Sequence, residues 1–270
     1  MARGAGIGAP AKRTLENCLM AFFAVHGLVK RFLGVTAIDR VDLTVERGEL
    51  VALIGPNGSG KTTLFNCVTG FMPADAGRVT FRERDVTGIA PHRIARLGVG
   101  RTFQLVSVFS RLTVLDNLLV FLQQHQEDSV LGRLLRTARL RRYEREALDR
   151  AHALLAWVKL ADHAHAPAGT LSYGQRKLLA FAAALMPNPE LILLDEPAAA
   201  VNPTMIETMK RHILALNREG KTILLVEHNM DVVMDLAQRV VVLDHGAKIA
   251  EGAPEAIRRD PRVIDAYFGR

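Results

Sequence analysis

The spacing of apolar side chains divides this 270-residue chain into an extended, a helical and an alternating stretch. From Phe22 the pattern is extended. Phe22-Phe23-Ala24-Val25 and Leu28-Val29 predict strand, and the alternation Val41, Leu43, Val45 predicts a strand with one wet face. Glu49-Leu50-Val51-Ala52-Leu53-Ile54 reads as a buried strand, and residues 61–69 as the start of a helix. Pro73-Ala74-Asp75-Ala76-Gly77 marks a turn, followed by a short strand at 78–81. Pro91 suits the first position of a short helix, and 99–103 returns to extended chain. Between Gln104 and Thr170 the period becomes helical: 114–122 is apolar at helical spacing, and 131–160 reads as one long helix or two shorter ones. From Leu171 strands and helices alternate. Leu191-Ile192-Leu193-Leu194 and Thr222-Ile223-Leu224-Leu225-Val226 are continuous apolar runs, expected of parallel strands covered on both faces. Residues 240–244 and 247–250, joined around Gly246, predict a terminal hairpin, and 254–268 two short helices. No internal repeat is visible. The pattern predicts an α/β protein: a mainly parallel core, a β-rich N-terminal part and a helical insertion.

Residues 1–18 are rich in Gly, Ala and Arg, have no periodicity and read as a disordered extension. Met20 is an alternative start. The domain division expected is an extension over 1–20, a main domain over 21–252 with a helical subdomain at about 104–186, and a helical tail over 253–270.

Composition changes this picture little. A hydrophobic share of 49% with 23% charged residues is that of an ordinary globular chain. The formal charge of +7 points to an anionic neighbour, whether nucleotide, nucleic acid or lipid headgroup, although an arginine-rich genome produces the same value. Two cysteines, Cys18 and Cys67, fit a reducing compartment, with Cys67 a core residue. No apolar run approaches the ~18 residues needed to span a bilayer. The run 18–25, behind Lys12 and Arg13, imitates a signal-peptide core, but Glu16 interrupts it and no small-residue cleavage site follows. The expectation is an unprocessed cytosolic chain that reaches a membrane only through another protein.

The strongest chemical signal is Gly55-Pro56-Asn57-Gly58-Ser59-Gly60-Lys61-Thr62-Thr63. It fits the phosphate-loop pattern G-x-x-x-x-G-K-[ST] at every fixed position, between a predicted strand and a predicted helix. Its glycines let successive N–H groups turn inward, and the concavity opens onto a helix N-terminus, so it holds a chain of phosphates. Lys61 would reach the β- and γ-phosphates, and the Thr62 hydroxyl would ligate Mg²⁺. A second signal is Leu191-Ile192-Leu193-Leu194-Asp195-Glu196-Pro197, an apolar strand ending in two acids, the Walker B form. Asp195, at the carboxyl end of the strand beside the phosphate loop, would hold Mg²⁺ through water, and Glu196 would polarise the attacking water. Taken alone, paired acids after a strand are equally a solvated turn.

Leu171-Ser172-Tyr173-Gly174-Gln175 resembles the signature motif of the ATP-binding cassette (ABC) family, usually Leu-Ser-Gly-Gly-Gln. Ser172 reads as the N-cap of a helix running through Met186. Its N-terminus is an anion site with no phosphate of its own. The resemblance implies that Ser172, Gly174 and Gln175 grip the γ-phosphate bound by a partner subunit. It further implies that Gln104, in Arg101-Thr102-Phe103-Gln104, touches Mg²⁺ and the lytic water and senses the membrane partner. His228, in Val226-Glu227-His228, matches the switch histidine that contacts the γ-phosphate, where a lone histidine after a strand is otherwise structural. Phe32 matches the aromatic position that stacks on adenine, where it would otherwise be a core residue.

The resemblance covers the chain from about Phe22 to its end. The Arg101–Gln104 wording, the Tyr173 variant of the signature, the helical insertion and the closing Val263-Ile264-Asp265-Ala266-Tyr267-Phe268-Gly269 are similar to the larger ATPase subunit of bacterial branched-chain amino-acid importers. That resemblance implies ATP and Mg²⁺ as ligands and a place on the cytoplasmic face of the inner membrane. It implies membrane-spanning permeases and, indirectly, a periplasmic binding protein. It also implies a second ATPase chain, in a heterodimer or alternatively a homodimer. Amide or urea uptake and lipopolysaccharide export are alternative cargoes. A soluble cassette working on nucleic acid or ribosomes is the rival class. Its members usually carry two cassettes or a long coiled coil, and this chain has neither, so no nucleic-acid partner is expected.

One departure and one feature with two readings remain. Where the family reads Ala-Ala-Gly-Leu-Asn-Pro after Walker B, this chain has Ala198-Ala199-Ala200-Val201-Asn202-Pro203. The insertion carries Arg133, Arg136, Arg139, Arg141, Arg142 and Arg145 with Leu131, Leu134, Leu135 and Leu140, either a basic amphipathic helix near lipid headgroups or a solvated face with its leucines turned inward.

Overall fold

Two sheets and a bank of helices make up the computed structural model, which describes residues 21–102, 108–123 and 138–268. The smaller sheet is antiparallel, in the order β2-β1-β4-β5, from β1 (Phe23–Phe32), β2 (Val35–Val45), β4 (Ala76–Phe81) and β5 (Arg84–Asp85). The larger contains β3 (Leu50–Ile54), β6 (Val99–Arg101), β7 (Leu191–Asp195), β8 (Thr222–Val226), β9 (Arg239–Asp244) and β10 (Ala247–Gly252), in the order β10-β9-β3-β8-β7-β6. All its neighbours run parallel except the β9–β10 hairpin.

The apolar runs in the larger sheet serve two cores at once, because successive side chains on a strand point to opposite faces. Leu50, Ala52, Ile54, Ile192, Leu194, Ile223, Leu225, Val240 and Val242 face one cluster. Val51, Leu53, Leu191, Leu193, Leu224, Val226, Val241 and Leu243 face the other. The first cluster is completed by helices α3 (Val114–Gln123), α4 (Ala138–Trp157), α5 (Tyr173–Leu185), α6 (Pro203–Arg218), α7 (Met230–Leu236), α8 (Pro254–Arg258) and α9 (Pro261–Phe268). The second lies between the sheets and takes Leu64, Phe65, Cys67 and Val68 of α1 (Lys61–Val68) and Ile94 of α2 (Pro91–Arg96). Arg239 pins the two sheets together: it donates to both Glu49 carboxylate oxygens (2.7 and 2.8 Å) and to Thr44 O of β2 (2.7 Å).

Among the described residues the predicted elements recur with small shifts at their ends. Three findings go beyond or against the pattern. The strand carrying Asp195 is not the immediate neighbour of the phosphate-loop strand: β8 lies between β3 and β7. Strand order is set by crossover connections, which leave no local trace in apolar spacing. In the insertion, Leu140 is buried while Arg141, Arg142 and Arg145 are exposed, the solvated arrangement; Leu131, Arg133, Leu134, Leu135 and Arg136 lie outside the described residues. The short β5 carries no apolar signal and pairs with β4 through its backbone and an Arg78–Asp85 ion pair (3.1 Å). Among the described residues no helix is long and apolar enough to cross a membrane.

His212 of α6 joins three helices, with its ring 4.2 Å from that of Trp157 in α4 and 6.4 Å from that of Phe181 in α5. Its Nε2 is buried without a hydrogen-bond partner. Burial, and then the charges of Arg211 and Lys159, hold its pKa below the ordinary histidine value. The unfolded chain therefore takes up a proton first, and this site loses stability as pH falls through about 6.5. Urea unfolding at pH 7.5 and 5.5 checks this: His212→Phe should narrow the stability gap between the two pH values relative to the unsubstituted chain.

Candidate active site

The carboxyl ends of β3, β6, β7 and β8 gather the phosphate loop, Arg101, Asp195, Glu196 and His228. The loop after β3 turns at Gly55, whose φ is +150°; a Cβ there would come within 2.0 Å of Leu243 O. At Gly60, with φ +104°, a Cβ would lie 2.5 Å from Ala37 O. Only glycine lets the loop pack this closely on β9 and on β2. Lys61 opens α1 and folds back, its Nζ donating to Gly55 O (2.6 Å), Pro56 O (2.9 Å) and Ser59 Oγ (3.3 Å). Burial holds its pKa below the ordinary lysine value, and the nearby Glu196 and Asp195 carboxylates pull it back up. A cleft of about 260 Å³ opens here, lined by Ala37, Asn57, Gly58, Gly60, Lys61, Thr62, Thr63 and Glu196. The structure thus brings Glu196 to the phosphate loop across more than a hundred residues of sequence.

Asp195 ends β7 and is 4% exposed. Its Oδ2 takes an ion pair from Arg101 (3.2 Å), while its Oδ1 is buried without a partner. Burial pushes this carboxyl above its ordinary pKa, and the Arg101 guanidinium opposes the shift. A buried, unpartnered carboxylate oxygen fits a hard divalent cation, which takes oxygen ligands and keeps several waters. Arg101 also donates to Thr69 Oγ1 at 2.8 Å. Its role was not legible in the sequence: the parallel β6–β7 register sets Arg101 opposite Leu193, one strand away from the acid it meets.

Glu196 holds a left-handed backbone, φ +48°, and its N–H donates to Val226 O (2.9 Å). One carboxylate oxygen lies 3.8 Å from Nδ1 of His228, which is 56% exposed at its side chain. The loop beyond is held by two charged residues that the sequence reading passed over. Lys177 of α5 donates to Glu196 O, Pro197 O and Ala199 O (3.0, 3.1 and 2.5 Å). Glu227 accepts from the N–H groups of Ala198 (2.7 Å), His228 (3.1 Å) and Asn229 (3.3 Å). Asn202 caps α6 through Met205 N (2.9 Å).

The signature segment lies outside the lining of the cleft. Ser172 is the N-cap of α5 as predicted, and the cap is reciprocal: Gln175 N donates to Ser172 Oγ (3.3 Å), and Ser172 N donates to Gln175 Oε1 (2.9 Å). Gly174 packs on α6, where a Cβ would meet Met205 Cε at 3.0 Å. Phe32 ends β1 and is 41% exposed, with the Lys30 ammonium 5.5 Å from its ring centroid, so it is not a core residue. Gln104 lies outside the described residues, as does most of the segment 104–109.

Fold and site together define a P-loop ATPase, and comparison with known proteins specifies which kind. The ABC transporter family matches residues 38–199, and a second family, described as branched-chain amino acid ATP-binding cassette transporter, matches 247–270. The chain belongs to the ABC transporter family and is an ATP-binding, ATP-hydrolysing transport ATPase. It is 44% identical over 247 residues to the high-affinity branched-chain amino acid transport ATP-binding protein LivG of Salmonella typhimurium, covering 91% of this chain and 97% of that one. BraF of Pseudomonas aeruginosa, of the same description, is 44% identical over 246 residues, covering 91% and 96%. Among solved structures, a nucleotide-free ATP-binding cassette from an ABC transporter superposes with a TM-score of 0.81 at 36% identity, covering 93% of this chain and all of that one. A dimeric post-hydrolysis state of the cassette MJ0796 bound to ADP and Pi gives 0.73 at 25%, covering 86% and 98%.

Ala200 stands where the family's usual wording has glycine, and its φ is +57°. A left-handed alanine costs roughly 1–2 kcal/mol, of which glycine would return all but the ~0.4–1 kcal/mol it adds to unfolded-chain entropy. Ala200→Gly is therefore expected to raise unfolding stability by about 0.5–1 kcal/mol in urea titrations.

Proposed function

We propose that this chain is the ATPase subunit of an importer for branched-chain or other hydrophobic amino acids, working at the cytoplasmic face of the membrane. The observation that carries the mechanism is the meeting of Lys61, Asp195, Glu196 and His228 around one phosphate loop, with the Ser172 cap set apart from that cleft. Two ATPase chains would pair head-to-tail, each offering Ser172, Gly174 and Gln175 to the nucleotide on the other's phosphate loop. The likeness to a dimeric cassette supports this, and a heterodimer is the pairing the resemblance favours. The names of the 44%-identical relatives and the family match over the tail support the cargo class.

In this mechanism Lys61 exchanges its loop carbonyls for β- and γ-phosphate oxygens, and Phe32 stacks on the adenine. Asp195, Thr62 and Gln104 would hold Mg²⁺, which when bound neutralises phosphate charge. Glu196 orients and polarises the attacking water, and His228 contacts the γ-phosphate. A cleft of about 480 Å³ with Phe71, Pro91, His92 and Phe121 in its walls would take an apolar segment of the permease, and from there closure reaches the membrane. The ATPase domain proper runs over 21–252 in this reading, with the helical subdomain at about 104–186 and the tail as an accessory packed on β10.

Two variants test the site. Glu196→Gln should keep ATP affinity within a few-fold and reduce turnover at least a hundredfold; ordinary hydrolysis by it would remove Glu196 from this role. Lys61→Ala should abolish tight binding of a fluorescent ATP analogue. For the cargo, cells lacking the gene should lose uptake of radiolabelled leucine, and the unsubstituted gene should restore it where Glu196→Gln does not.

A further inference from the structure

Glu196 and Ala200 bound a loop whose two ends both hold left-handed backbone, φ +48° and +57°. Such conformations persist in L-residues only where the surroundings impose them. Here two buried charges of opposite sign grip the loop. Lys177, 7% exposed, reaches from α5 and donates its three ammonium hydrogens to Glu196 O, Pro197 O and Ala199 O. Glu227, fully buried after β8, accepts the N–H of Ala198 between those carbonyls and then the N–H groups of His228 and Asn229. Neither side chain lines the phosphate cleft. A buried charge is costly unless fully hydrogen-bonded, and nothing in the packing of this loop demands charge there, so the pair answers a need for geometry.

We infer that Lys177 and Glu227 are positioning residues for hydrolysis: together they set where the Glu196 carboxylate stands relative to His228 and the phosphate loop. Glu227 sets both partners at once, since its two oxygens hold the loop of Glu196 and the amide of His228. Lys177 adds a mechanical link. It sits one and a half turns along the helix that Ser172 caps, so a displacement of that helix is delivered directly to the Glu196 carbonyl. Movement of the segment that serves the neighbouring subunit's nucleotide thereby acts on this chain's own hydrolytic carboxylate. The inference rests on Glu196 being the residue that orients the water.

Lys177→Met in the full chain tests it, because methionine keeps most of the apolar stem and removes the three donors. The expected result is a fall in kcat of at least tenfold, with affinity for a fluorescent ATP analogue changed less than twofold. Amide hydrogen exchange at 196–200 should quicken at least tenfold while that at 55–63 stays as it was. Lys177→Arg, which keeps donors, should recover part of kcat. Unchanged kcat beside faster exchange in the loop would overturn the inference. So would loss of ATP affinity and kcat together with protection across the whole central sheet, which would make Lys177 a packing residue only. Should Lys177→Met fail to fold, Glu227→Gln keeps shape and size and is held to the same kcat-against-affinity split. The Glu196→Gln variant separates the two readings: normal turnover by it removes the role of Glu196, while the exchange measurement still reports whether Lys177 holds the loop.

Discussion

A parallel sheet covered on both faces has no room for charge along its strands, and this constraint organises the whole molecule. Every side chain of β3, β7 and β8 is buried, and all but the last of β7 are aliphatic or, at Thr222, a hydrogen-bonded hydroxyl. Ionisable groups are pushed to the strand ends, and in a parallel sheet the same ends gather on one edge. Lys61 follows β3, Arg101 ends β6, Asp195 ends β7 and Glu227 follows β8. Ligands in open α/β sheets bind at this carboxyl edge. The active site is thus a consequence of what the core excludes.

Charges collected at that edge are half out of water and must be satisfied there. Asp195 meets Arg101, Lys61 meets its own loop, Lys177 meets three carbonyls and Glu227 three amides. One buried oxygen at this edge is informative. Asp195 Oδ1 lacks a partner although it is buried, and it belongs to the residue with the best claim to a divalent cation. The satisfied groups hold backbone; the unsatisfied oxygen faces chemistry.

Much of this was legible in the sequence because it is local. The phosphate loop, the Asp195-Glu196 pair and the Ser172 cap are each read within a few consecutive residues, and their backbone requirements (glycine at φ > 0, a side-chain oxygen at an N-cap) are met by residue type alone. Lys177 and Glu227 were in plain view beside the signature and the switch histidine. Little in their own neighbourhood marks them, because the loop groups they hold are three carbonyls and one amide about 20 to 30 residues away. Backbone partners carry no residue identity, so such contacts leave no pattern to find. Arg101 was read as part of a motif and not as the counter-ion of Asp195 because the β6–β7 pairing that brings the two side chains together leaves no mark in either stretch.

What the sequence by itself determined is the set of parts: strands with two apolar faces, a loop for phosphates, two acids after a strand, a capped helix with a vacant anion-binding end. Those follow from short-range sterics and periodicity. Only the tertiary structure decided how the parts stand to one another. The order β3-β8-β7 puts a strand between the loop and its acids. The β6–β7 register brings Arg101 to Asp195. The packing of α5 lets Lys177 and Glu227 fix Glu196 in a conformation that its own sequence would not choose. Strand order, register and buried pairing are settled by which long-range arrangement buries both sheet faces at once, and no local stretch of chain contains that information.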